Sequence, residues 1–235
     1  MRKHRTLLIV YTIGLISLAG GPAFSQKAAE PANANEQAPT YRPPQRGAPA
    51  SRVGGGSRGI SEASAQVSAI APDHTGLTRY EQPTLYWYVS GPVSAPIEIT
   101  LIDDISVKPL IVYSLPKGIA EGLHEIKISD SNVRLKTGIE YRWHVALVLD
   151  PDQRSKDVIA SATIRRATLP EDVLSRLDRN QGRAAVRAYA EQGLWYDAID
   201  VLAKQFRHDP ANTLLRRDFQ SLLMQVGLDQ FAALK

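Results

Sequence analysis

The hydrophobic period of this chain changes once, near Leu169-Pro170, and that change limits what it can fold into. Before it, from about Gln66 to Arg166, apolar residues recur at every second position. Leu85, Trp87 and Val89 alternate with Tyr86 and Tyr88; Ile97, Ile99 and Leu101 alternate with Glu98 and Thr100; Ile126 and Ile128 flank Lys127. Trp143, Val145, Leu147 and Leu149 alternate with Arg142 and His144, and Val158, Ala160, Ala162 and Ile164 follow. A period of two places one set of side chains on each face of a strand. Ser90-Gly91-Pro92, Asp103-Asp104, Pro116-Lys117-Gly118 and Asp150-Pro151-Asp152 separate the runs with turn formers.

Several short strands at this spacing predict an antiparallel β-sandwich over residues 64–167. Leu135, six residues before Tyr141 at the start of the strongest strand, narrows the expectation to an immunoglobulin- or fibronectin III-like sandwich. In such folds a tyrosine at this place fills the core edge while its hydroxyl reaches back to an upstream turn. Trp87 is expected to face the core from an earlier strand.

After the change the period is helical. Pro170-Glu171-Asp172 opens a helix with acids in its first turn, where they suit the helix dipole. Ala184–Glu191 and Trp195–Arg207 form a pair hinged at Gly193, and Trp195, Ala198, Ile199, Leu202 and Phe206 make a continuous apolar stripe. Asp209-Pro210 stops that helix, and Thr213–Val226 forms another before Gly227. Residues 188–202 look like one tetratricopeptide-like hairpin, so residues 168–235 are expected to form a small helical bundle. A lone repeat lacks stacked neighbours and needs another surface to pack on.

The other end of the chain carries an address. Arg2, Lys3 and Arg5 precede the charge-free apolar run Leu7–Ala19, a Gly20-Gly21-Pro22 break, and small residues at Ala23 and Ser25. Residues 1–25 thus read as a secretory signal peptide, with an uncleaved anchor as the alternative; the run is shorter than the roughly 20 residues of a bilayer span. The expected location is the periplasm or the extracellular space, with no membrane span once the leader is cleaved. Cleavage removes three basic residues and no acidic one, turning a net charge of +4 into +1. That near-neutral balance gives no case for nucleic acid. The chain has no cysteine, which excludes disulfides, thiolate metal sites and a cysteine nucleophile. Residues 26–63 are rich in Ala, Pro and Gly and read as a flexible linker. Arg46–Gly59 within it lacks the Gly-Lys-Ser/Thr ending of a phosphate loop.

Taken together, several stretches resemble the DUF928 family of exported bacterial proteins. They are Arg52-Val-Gly-Gly-Gly-Ser-Arg-Gly59, Gly76-Leu-Thr78, Pro83-Thr-Leu-Tyr-Trp-Tyr-Val89, Tyr141-Arg-Trp-His144, Asp150-Pro-Asp-Gln-Arg-Ser155 and Gly193-Leu-Trp-Tyr-Asp-Ala198. The resemblance implies a Gram-negative envelope protein without known catalytic residues. Members often carry a cysteine in the second strong strand; Leu147-Val148-Leu149 has none, so no thiol-based role carries over.

No spacing in the chain supports catalysis. Histidines 4, 74, 124 and 144, with His208, show no His-x-x-x-His or His-Glu-x-x-His pattern, and there is no Gly-x-Ser-x-Gly elbow. No metal, cofactor or catalytic residue is expected. Tyr80, Tyr86 and Tyr88 are candidate binding residues, since Tyr86 and Tyr88 lie opposite Trp87, and Tyr196 is a fourth. They either stack on a glycan or partner protein or are covered by the C-terminal helices. The leading expectation is a non-enzymatic adaptor that binds another envelope protein. The alternative is an envelope glycan-binding module, and a hydrolase using His74, His124 or His144 is the third.

Overall fold

The computed structural model describes residues 37–44, 53–54, 65–106, 108–115 and 119–231. The leader and most of the linker lie outside the described residues. Nine strands form two sheets. The first has the order β1 (Val53–Gly54), β2 (Val67–Ala69), β4 (Thr84–Val89) and β7 (Gly122–Lys127), all antiparallel. The second has the order β3 (Gly76–Thr78), β9 (Val158–Arg166), β8 (Glu140–Leu147), β5 (Ile97–Asp103) and β6 (Ile111–Leu115). Four helices follow: α1 (Glu171–Asp178), α2 (Gly182–Glu191), α3 (Trp195–His208) and α4 (Thr213–Gln225).

This architecture corrects the expected immunoglobulin- or fibronectin III-like sandwich followed by a tetratricopeptide-like bundle. The second sheet is mixed, because β3 runs parallel to β9 while every other pair is antiparallel. Parallel pairing needs a partner far along the chain, and three residues are too few to show a period. Nor do the helices stand apart as a bundle: α3 lies against β3 and β4. The reason lies on α3 itself. Beyond the predicted stripe, Tyr196, Asp197 and Ala203 are also buried, so the helix hides two sides, one from the other helices and one from the sheets.

The alternating residues do supply the core. Ile97, Ile99 and Leu101 of β5, Trp143, Val145 and Leu147 of β8, and Val158, Ala160, Ala162 and Ile164 of β9 are all buried. They share one apolar cluster with Val67, Ala69, Leu85, Trp87 and Val89 of the first sheet and with the helices. On β4 every residue is buried, because α3 covers the face that alternation assigns to solvent. Tyr141 reaches back as expected, although its hydroxyl accepts from the Lys136 backbone N–H at 3.0 Å instead of meeting a carbonyl.

Local signals set the helix ends. The Asn212 side chain caps α4 by accepting from the N–H groups of Leu214 and Leu215. Between α2 and α3, Gly193 has φ +73°, and a Cβ there would lie 2.7 Å from the Arg42 carbonyl. Residues 37–44, part of the stretch whose composition suggests a flexible linker, run across this turn. Their Tyr41 is buried. Arg42 N–H donates to the Ala190 carbonyl, and Tyr41 N–H donates to the Gln225 side chain. Arg183 of α2 holds the fully buried Asp218 of α4 through two bonds of 2.6 and 2.8 Å.

Candidate functional site

The first turns of α3 enter the sheets side chain by side chain. Trp195 donates its indole N–H to the Ile70 carbonyl at 2.9 Å, and Tyr41 meets its ring edge-on at 5.0 Å. Tyr196 accepts from the Trp143 indole N–H and donates to the Thr163 carbonyl, each at 3.0 Å. Burial raises the Tyr196 pKa, so its hydroxyl stays a donor. Gly76 provides the space: a Cβ there would stand 2.6 Å from the Tyr196 ring.

Asp197 completes the junction. The Thr78 hydroxyl donates to its Oδ1 at 2.5 Å and the Arg79 backbone N–H to its Oδ2 at 2.8 Å. Burial pushes its pKa up to about 7, against the opposing pull of those two donors and of the Arg79 charge. Arg79 itself pairs with Asp178 of α1 at 2.7 Å. The motif Gly193–Ala198 therefore meets Gly76–Thr78 and Trp143 at one junction, and its chemistry is spent on holding helices to sheets.

That junction decides what the four candidate tyrosines do. Tyr86 is buried and donates to Asp200 of α3 at 2.9 Å; Tyr88 is buried, with its hydroxyl 3.4 Å from Glu121; Tyr196 lies in the core. Only Tyr80, 45% exposed, shows a ring to solvent. The Arg79 guanidinium sits over that ring at 5.2 Å, and its hydroxyl lies 3.2 Å from that of Tyr189. The four do not form one exposed aromatic platform.

The histidines are engaged in local contacts. His74 Nδ1–H donates to Asp73 at 3.1 Å, and its Nε2 faces the Tyr41 hydroxyl at 3.0 Å. Burial, then the Asp73 charge, raises the Tyr41 pKa, which makes that phenol a hydrogen-bond donor and a poor nucleophile. His124 stacks on Trp87 at 5.6 Å and donates to the Ala120 carbonyl. His144 Nδ1 lies 2.7 Å from Ser161 Oγ across β8 and β9. Burial and Arg142 lower the His144 pKa. That distance suits a nucleophile and its base. Among the described residues, however, no carboxylate bonds to the ring to orient it, and the pair lines neither hollow described here. Among those residues, too, no group of three or more His, Asp or Glu could hold a metal ion, and no helix is long and apolar enough to cross a membrane.

What remains open is a sheet edge. β6 and β7 end their respective sheets, and among the described residues nothing pairs with their outer sides. A cleft of about 190 Å³ separates them, lined by Ile111, Tyr113 and Leu115 of β6 and by Ile126 of β7. Val112 and Tyr113 are 58% and 47% exposed. The reading by period did not find this strand, because Ile111-Val-Tyr-Ser-Leu115 does not alternate. The available signal was its β-branched and aromatic composition.

The fold and its junction define a two-sheet protein with a helical layer bonded into the sheets and one unguarded edge. The chain belongs to the DUF928 family, described as a Domain of Unknown Function, whose profile matches residues 53–235. No curated protein and no solved structure matches it significantly.

Proposed function

We propose that this is an exported, non-enzymatic interaction protein of the bacterial envelope, and that it takes an extended segment of another envelope protein along β6. The observation that carries the reading is the edge itself. Sheet edges in soluble proteins are normally blunted by Lys, Pro, bulges or inward charges, because bare edges recruit other strands. β7 carries His124, Glu125 and Lys127, whereas β6 has no charged residue, proline or glycine and exposes Val112 and Tyr113 beside an apolar cleft. An added strand would bond to the β6 backbone and place alternate side chains in the cleft. Support for the address is the basic start and apolar run of residues 1–19. A glycan-binding role would have to rest on Tyr80, the one candidate ring in the open.

A photo-crosslinking residue at position 113, at native expression, should give one discrete adduct identifiable by mass spectrometry. The same residue at Leu214 on α4 should give none. Val112→Lys with Tyr113→Lys should reduce capture at least about tenfold. Both side chains are exposed, so stability should move by no more than about 0.5 kcal/mol per site. Adducts from position 214 but none from β6 would sink the proposal.

A further inference from the structure

A second feature, independent of the β6 edge, lies between α1 and α2. A hollow of about 350 Å³ opens there, with Arg187, Arg176, Asn180 and Glu191 among its polar walls and Leu177 and Ala188 among its apolar ones. Arg187 Nη1 is buried, and among the described residues it has no hydrogen-bond partner. The guanidinium stays charged at any ordinary pH, so the unmet donor cannot be relieved by losing a proton. A buried donor without an acceptor, on a cation above all, is costly. The obvious partners are committed or absent. Arg176, the other cation, already holds Asp172 at 2.7 Å. Asn180 spends its side-chain N–H on the Arg176 carbonyl. Glu191, one turn along α2, is exposed and makes no ion pair with Arg187 among the contacts of the described residues.

We infer that this hollow is a binding site for a carboxylate on a short apolar stem, with a carboxylate oxygen accepting from Arg187 Nη1. One unpartnered cation beside a rim glutamate suits a single negative charge better than a phosphate dianion. The apolar wall suits methyl-sized groups next to that charge. The volume is at the small end of ligand pockets, the size of a compact ligand such as a dipeptide. An acid group of this kind is found on a peptide C-terminus and on a free small acid alike.

The test is a nuclear magnetic resonance titration of the full chain with N-acetyl-Ala-Ala, with its C-terminal amide, and with acetate. The free acid should shift the backbone amides of Asn180, Arg187 and Glu191 in a saturable way, and the amide should shift them at least about tenfold more weakly, the loss of one charge-assisted hydrogen bond. Acetate binding as tightly as the peptide acid would identify a free small acid as the source; weaker binding would identify a peptide terminus. Arg187→Met should abolish the shifts while leaving the melting temperature equal or higher, since it removes the unmet donor and keeps the packing. Equal shifts from acid and amide, unaltered binding by Arg187→Met, or no saturable shift with any probe would overturn the inference. The acid and amide comparison needs no variant, so it stands even if Arg187→Met fails to fold.

Discussion

Replacing Tyr196 by alanine is expected to destabilise the protein by about 3–5 kcal/mol, the range for truncating a large buried aromatic. The ring fills the space beside Gly76, and its hydroxyl answers both the Trp143 indole and the Thr163 carbonyl. Tyr196→Phe keeps the ring and separates the two contributions. It should cost about 1–3 kcal/mol for leaving buried polar groups without partners. Gly76→Ala tests the same contact from the sheet side. The new methyl meets a ring bonded at its far end, so overpacking should cost about 1–3 kcal/mol. Chemical denaturation of the three variants measures all of this. A Tyr196→Ala protein as stable as the parent would show that the helical layer is not held where the structure puts it.

The second large effect concerns Asp197 and reverses sign with the substitution. Asp197→Ala removes the acceptor of both Thr78 Oγ1–H and the Arg79 N–H, and should cost about 2–4 kcal/mol for two buried donors. Asp197→Asn keeps the shape, can donate to Thr78 and accept from Arg79, and carries no charge. The parent's pH dependence distinguishes them. The folded carboxyl titrates near 7, against about 4 when unfolded, so between those values the folded state holds more protons. Stability contributed by this group is therefore full below pH 4 and is lost as pH rises to 7, by at most about 4 kcal/mol. Asp197→Asn should abolish that slope and equal or exceed the parent at pH 7. Thermal melts of both proteins at pH 5 and pH 7.5 would check it, and a slope surviving in Asp197→Asn would assign the titration to another group.

The legible parts of this fold were those with enough residues to show a period. β4, β5, β8 and β9 have six to nine residues each and alternate over the positions that pack the core. β2 and β3 have three residues and carry no pattern at all. The parallel pairing of β3 could not be seen either, since its partner lies at the other end of the domain. Tyr86 and Tyr88 were placed on the correct face of their strand. What period analysis lacks is the second layer that covers that face. Tyr41 shows a different limit, because one anchoring aromatic disappears in the average composition of a Pro- and Ala-rich stretch. Asp197 did leave a trace, an acid between Trp195 and Ala198 in an apolar helix. Its partner Thr78 is 119 positions away, and nothing local joins the two.

The parallel edge between β3 and β9 has a consequence in time. β3 cannot bond until β9 exists, and the indole of Trp143 and the carbonyl of Thr163 stay bare until α3 arrives. Contacts this distant in sequence slow the search for the native state. A growing chain thus has no early fragment able to close its own core, and its last third acts as the latch. Such a polypeptide remains threadable for most of its synthesis, a condition that suits passage through a narrow channel before folding on the far side.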